Sequence, residues 1–173
     1  MENDKIKTRA KNNAYLLLRT RPRSEAEIRQ RLKLKGYDDT VVDGVVGDLK
    51  RTGNIDDAKF ARFWVESRMH MNPMGDVILK HELKSKGVND SVIEATLQDK
   101  AKDYDEYETA FSMANERYKR FQKLDASASL GTGKRKALKR VYDFLLRRGF
   151  KYDTIRRITQ ELAGMGNIPD EDR

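Results

Sequence analysis

No cysteine occurs in the 173 residues, which removes disulfides, thiolate nucleophiles and cysteine-bound metals from the possible chemistries. A chain without thiol chemistry suits a reducing compartment, and a cytoplasmic location is expected. Histidine is nearly as scarce: His70 and His81 stand apart, with Pro73 between them. Two separated imidazoles without thiolates are a poor metal set, so neither a metal nor another cofactor is expected. No window approaches the roughly 18 consecutive apolar residues that a membrane-spanning helix needs. The opening "MENDKIKTRAKNN" has no apolar run and does not read as a secretory signal. Only three prolines interrupt the chain.

Charge is what the chain has in quantity. Charged residues make up 37% of it, with a formal net charge of +8, against about 25% charged in an average domain. Hydrophobics at 38% allow only a thin, distributed core. The abundance of Lys, Arg, Glu, Leu and Ala favours helix. The positive excess favours an anionic partner, either nucleic acid or an acidic protein surface, with a membrane surface less favoured.

The sequence repeats itself. "RLKLKGYDDTVVDGVV" (31–46) aligns with "ELKSKGVNDSVIEATL" (82–97) at an offset of 51 residues. A further 62 residues on, "DFLLRRGFKYDTIRRI" (143–158) carries the same pattern, with Leu145, Gly149, Phe150 and Ile155 in register. Repetition of this kind decides architecture. The expected fold is all-α: three tandem three-helix repeats in an elongated, curved arrangement. Their bounds are 9–54, 55–103 and 104–164, between tails at 1–8 and 165–173, with a polar loop at 125–134.

Local signals mark the helix ends. A first helix over 7–20 stops before Pro22. Ser24 and Glu27 form a capping box for the second helix, and Gly36 supplies its left-handed terminus. Asp38 caps a third helix whose Val41, Val42, Val45, Val46 and Leu49 form an apolar stripe. Gly87 and Asn89 repeat these signals, and Gly149 repeats the glycine. Lys151 stands where the other copies carry Asp38 and Asn89, so the last helix is weakly capped. Phe60, Phe63, Trp64 and Ser67 fall at helical spacing on one face, read as core in preference to a base-stacking platform.

Catalytic motifs fail on inspection. The pairs Asp38-Asp39 and Asp56-Asp57 stand at helix starts, where capping explains them. "GTGKR" (131–135) resembles a phosphate loop, but that motif needs glycine at 128 and Ser or Thr at 135, where the chain has Ala128 and Arg135. No enzyme is expected. The better signal is basic, and it recurs in the second helix of each copy. Arg21, Arg23, Arg29, Arg31, Lys33 and Lys35 belong to the first. Lys80, Lys84 and Lys86 belong to the second, and Arg135, Lys139, Arg140 and Arg147 to the third. These are the candidate partner-binding residues.

"YLLLRTRPRSEAEIRQRLKLKGY", "GNIDDAKFARFWVESR" and "FLLRRGF", in that order between about Ala10 and Leu162, resemble the RecX family of RecA recombinase regulators. The resemblance implies three tandem three-helix modules. It also implies binding to the RecA filament on single-stranded DNA, within its helical groove. There such proteins restrain ATP hydrolysis, filament growth and strand exchange, in the setting of recombination, DNA repair and the SOS response. The family brings no catalytic motif. The chain is expected to act as a monomer, with direct contact to single- or double-stranded DNA as a further expectation. The rival reading is a stand-alone helix-turn-helix-like DNA-binding protein, because three-helix modules with basic second helices can enter grooves.

Overall fold

The computed structural model describes residues 2–124 and 130–165, and every regular element among them is an α-helix. In chain order these are α1 (Glu2–Thr20), α2 (Glu25–Leu34), α3 (Asp39–Arg51), α4 (Asp57–Met71) and α5 (Asp76–Ser85). α6 (Asp90–Asp103), α7 (Glu106–Leu124), α8 (Leu130–Arg147) and α9 (Tyr152–Met165) follow. The chain forms two compact units. The first comprises Met1–His70 and Lys80–Asp99, the second Met71–Leu79 and Lys100–Arg173.

In the first unit, Ala10 and Ala14 of α1 and Ile28 and Leu32 of α2 are buried together with the valine stripe of α3, Leu49 and Ile55. Valine is a mediocre helix former because its branched side chain loses rotamer freedom. Burial offsets this, at about 1.5–3 kcal/mol per large apolar side chain. The helix ends follow their local chemistry. The Ser24 hydroxyl accepts from the Glu27 amide (3.2 Å) and the Glu27 carboxylate accepts from the Ser24 amide (3.4 Å). The Asp38 carboxylate accepts from Val41 N–H (2.8 Å), and the Asn89 side-chain oxygen from Ser91 N–H (2.9 Å).

The aromatic face expected on α4 is different in the structure. The buried residues are Phe60, Ala61, Val65 and Met69, whereas Trp64 is half-buried and Phe63 is exposed. The buried stripe is centred between Ala61 and Val65, which turns Phe63 towards the opposite side. Bulky aromatics drew the sequence reading to the wrong centre.

In the second unit, Ala110, Ala114 and Tyr118 of α7 pack with Ala137, Val141, Phe144 and Leu145 of α8. Phe150 and, from α9, Ile155, Ile158 and Leu162 complete this core. α8 starts at Leu130, so 130–134, expected as polar loop, are helical, while 125–129 lie outside the described residues. Similarly, α1 starts at Glu2, which makes 2–8 helix where a tail is expected. α9 runs to Met165, and the rest of the expected C-terminal tail, 166–173, lies outside the described residues. The weak cap at Lys151 is compensated from α7: the Glu106 carboxylate accepts from Lys151 N–H (3.1 Å).

One device recurs at helix C-termini. Gly87 N–H donates to Lys84 C=O (2.9 Å) and Val88 N–H to Leu83 C=O (3.1 Å). Gly149 and Phe150 repeat this on Leu146 and Leu145, at 3.0 and 3.3 Å. Both glycines have φ of +75°, a conformation that side chains resist. Each turn also seats the N-terminus of another helix. In the first unit the Ser24 hydroxyl donates to Lys86 C=O (2.6 Å), and a Cβ on Gly87 would fall 2.3 Å from Ala26 Cβ. In the second unit Gly75 N–H donates to Arg148 C=O (2.8 Å), and a Cβ on Gly149 would fall 2.4 Å from Ile78 Cγ1.

The Gly36 turn has a φ of +85° but nothing within 4 Å of a built Cβ. Gly36→Ala should therefore cost only the left-handed backbone penalty, about 1–2 kcal/mol. Gly149→Ala adds overpacking, about 1–3 kcal/mol more. Urea denaturation followed by far-ultraviolet circular dichroism should rank the two variants in that order.

Candidate functional site

In the first unit, most of the expected partner-binding cations are already partnered. Lys33 pairs with Asp39 (2.6 Å) and Lys84 with Asp90 (3.0 Å). Arg29 pairs with Asp43, and Lys80 with Glu94. These are one arrangement used twice, because each residue of the α5–α6 set lies 51 positions after its α2–α3 counterpart. Such half-exposed pairs are worth about 0–1 kcal/mol each. They matter more for cancelling charge than for stability. Arg29 also meets Glu25 (2.9 Å), which is shared with Lys50 (2.7 Å).

Arg21 and Arg23 precede α2 and are half-buried. Arg21 makes a two-pronged contact with Glu27, at 2.8 and 3.1 Å. Arg23 donates to Leu17 C=O (3.2 Å). Burial, then the neighbouring Arg21, lowers the Arg23 pKa. Lys86 completes the cluster, 3.1 Å from Glu27 and 5.0 Å from the centre of the Trp64 ring. Burial pushes the Glu27 carboxyl upward, but hydrogen bonds and charge from Arg21 and Lys86 win and hold it at about 2. Trp64 is similarly engaged: its indole N–H donates to Glu82 (2.8 Å), and Arg68 stands 4.7 Å from the ring centre. A base could stack there only by displacing these cations.

Of the first-copy set, Arg31 and Lys35 remain exposed, with no carboxylate partner among the described residues. α8 of the second unit is richer in such cations. Arg135, Lys139 and Arg147 are exposed without a carboxylate partner among the described residues, and Arg140 lies 5.5 Å from the centre of the Phe121 ring. The recurring ion-pair positions themselves change in this unit. Tyr142, Leu146, Tyr152 and Arg156 replace Lys80, Lys84, Asp90 and Glu94. The two tyrosines meet edge-on, with centroids 6.4 Å apart, so α8 and α9 are joined there without carboxylates.

Sequence reasoning missed Lys119, Arg120 and Lys123 of α7 and Arg156 of α9, all exposed with no carboxylate partner among the described residues. For the three α7 residues the signal was the polar flank opposite the Ala110-Ala114-Tyr118 stripe. Conversely, Lys100 contributes to net charge but is buried against Asp76 at 2.6 Å. No group of three His, Cys, Asp or Glu side chains among the described residues could hold a metal ion. No helix among them is long and apolar enough to cross a membrane.

The described residues form all-helical units with ordered caps and exposed cations on α2, α7, α8 and α9, which places the chain among helical-module proteins. The chain matches the family models for the first and second three-helix domains of RecX, over residues 10–49 and 56–97. It is 30% identical over 168 residues to the regulatory protein RecX of Amycolatopsis mediterranei, covering 94% of this chain and 90% of the relative. The RecX of Prosthecochloris aestuarii is 32% identical over 154 residues, covering 89% and 93%. The crystal structure of RecX from Lactobacillus salivarius shares the fold, with a TM-score of 0.75, 23% identity and coverage of 91% of this chain and 96% of that one. The chain belongs to the RecX family of regulatory proteins.

The low Glu27 pKa ties stability to pH. A carboxyl held below its unfolded value contributes fully above about pH 4.5 and loses that contribution as pH falls towards 2. Glu27→Gln should lower stability at pH 7 by on the order of 2–3 kcal/mol. It should also flatten the decline between pH 5 and 2, as read from urea midpoints across that range.

Proposed function

We propose that this chain binds the RecA recombinase filament on single-stranded DNA and mainly inhibits its ATP hydrolysis, growth and strand exchange. It does so by occupancy, as a cytoplasmic monomer. The reading takes the helices as three tandem three-helix repeats, with Arg31, Lys35 and the cations of α8 set against acidic protein surface or phosphate. Family membership supports the recombinase as partner.

The observation that carries the surface assignment is the exposed charge of three α8 residues. Arg135, Lys139 and Arg147 have no carboxylate partner among the described residues, whereas Lys33, Lys80 and Lys84 each have one. An uncompensated cation meets an anionic partner without first breaking an internal pair, so it contributes more to steering and to the final contact. Contacts made through Arg29, Lys33, Lys80 or Lys84 must compete with Asp43, Asp39, Glu94 and Asp90.

The test is ATP hydrolysis by a recombinase filament, titrated with this protein at several salt concentrations. Reversing Arg135 and Lys139 together to Glu should raise the half-inhibitory concentration roughly tenfold, about 1.4 kcal/mol, with helix content unchanged. Equal inhibition by the variant would remove α8 from the contact. Base-selective duplex binding that is undiminished without recombinase would favour the stand-alone helix-turn-helix reading.

A further inference from the structure

The two seated glycine turns share a chemistry that a third turn in the chain offers without an occupant. At the Lys86-Gly87 turn, the seated helix begins Ser24-Glu25-Ala26-Glu27. Its cap hydroxyl donates to the Lys86 carbonyl (2.6 Å), Ala26 packs on Gly87, and Glu27 reaches the Lys86 ammonium (3.1 Å). At the Arg148-Gly149 turn the seated helix begins at Gly75. Its amides reach the Arg148 and Gly149 carbonyls, at 2.8 and 3.4 Å, and Ile78 packs on the glycine. Dipoles support both contacts, since the partial negative end of one helix meets the partial positive end of another.

Shifted back by 51 residues, Lys86-Gly87-Val88 becomes Lys35-Gly36-Tyr37. This turn closes α2 with the same bonds, from Gly36 N–H to Lys33 C=O (2.9 Å) and from Tyr37 N–H to Leu32 C=O (3.3 Å). Yet, apart from its chain neighbours, no atom of the described residues lies within 4 Å of a Cβ built on Gly36. Leu34, at the lip of the turn, is 73% exposed. Lys35 and Arg31, one helical turn apart on the same side, have no carboxylate partner among the described residues.

We propose that the Lys35–Tyr37 turn is a docking surface for the N-terminus of a helix in a partner protein. The chemistry is that which α2 itself presents to Lys86. A serine or threonine cap donates to the Lys35 carbonyl, and a small residue at the second helical position rests on Gly36. An acidic residue at the third position meets Lys35, with Arg31 adding positive charge beside an acidic first turn. Charge complementarity and the occupied turn at Lys86 both specify this occupant. A second copy of the chain is a poor candidate, because its own helix starts at Ser24 and Gly75 are already seated and Ser24 is fully buried. The proposal does not depend on the partner being the recombinase.

A peptide of residues 21–35, stapled between positions 29 and 33 to hold the short helix, is a direct probe. Titrated into the full-length ¹⁵N-labelled chain, it should shift the amide resonances of Lys35, Gly36 and Tyr37. Lys35→Glu, an exposed change, should weaken that binding about threefold, in line with an exposed ion pair. Glu27→Lys in the peptide should restore it. Absence of shifts at 35–37, shifts confined to 86–88, or indifference to Lys35→Glu would each overturn the proposal. Sedimentation showing a dimer that Lys35→Glu dissolves would assign the turn to a second copy and overturn the partner reading.

Discussion

A helix that stops leaves carbonyls without partners, and a helix that starts leaves amides in the same position. This chain brings the two deficits together. At the Gly149 turn, amides at the start of α5 pair with backbone carbonyls that would be costly to bury unpaired, and at the Gly87 turn the Ser24 hydroxyl takes the amide's place as donor to Lys86 C=O. Close approach is possible only because glycine stands at 87, 75 and 149. A Cβ on Gly75 would fall 2.0 Å from the Gly149 carbonyl oxygen. The Gly87 and Gly149 turns therefore carry a junction between helices as well as the end of one.

Around that junction the charged residues separate into two roles. Glu27, Arg21 and Lys86 form a half-buried cluster in which one carboxylate serves two cations and also closes a capping box. Farther out, Lys33–Asp39 and Lys84–Asp90 recur in register and leave little net charge on their helices. In the last copy Tyr142 and Tyr152 take over part of the joining role. Arg135, Lys139 and Arg147 of α8 stand outside those recurring positions and have no carboxylate partner among the described residues.

The helix ends were legible because their signals are local. Ser24 with Glu27, Asp38, Asn89 and the glycines at 36, 87 and 149 each act within a few residues of where they stand. The valine stripe of α3 was legible for the same reason. Less legible was the face of α4, where Ala61 lies nearer the centre of burial than Phe63. The start of α8 was also misread, since a Gly- and Ser-containing stretch resembles a loop until the helix behind it is known to extend through Leu130.

Of the basic surface, the residue types and their recurrence could be read directly, but their availability could not. Arg29 and Lys80 look as free as Lys139 until Asp43 and Glu94 arrive from the following helix. Hydrogen-bond geometry at a cap spans three residues, so amino-acid order is enough to specify it. Neutralisation of Arg29 and Lys80 joins positions 14 residues apart, and the seated glycine turns join positions 62 and, from Gly75 to Arg148, 73 residues apart. Those outcomes belong to packing, because helix rotation and approach select which side chains meet.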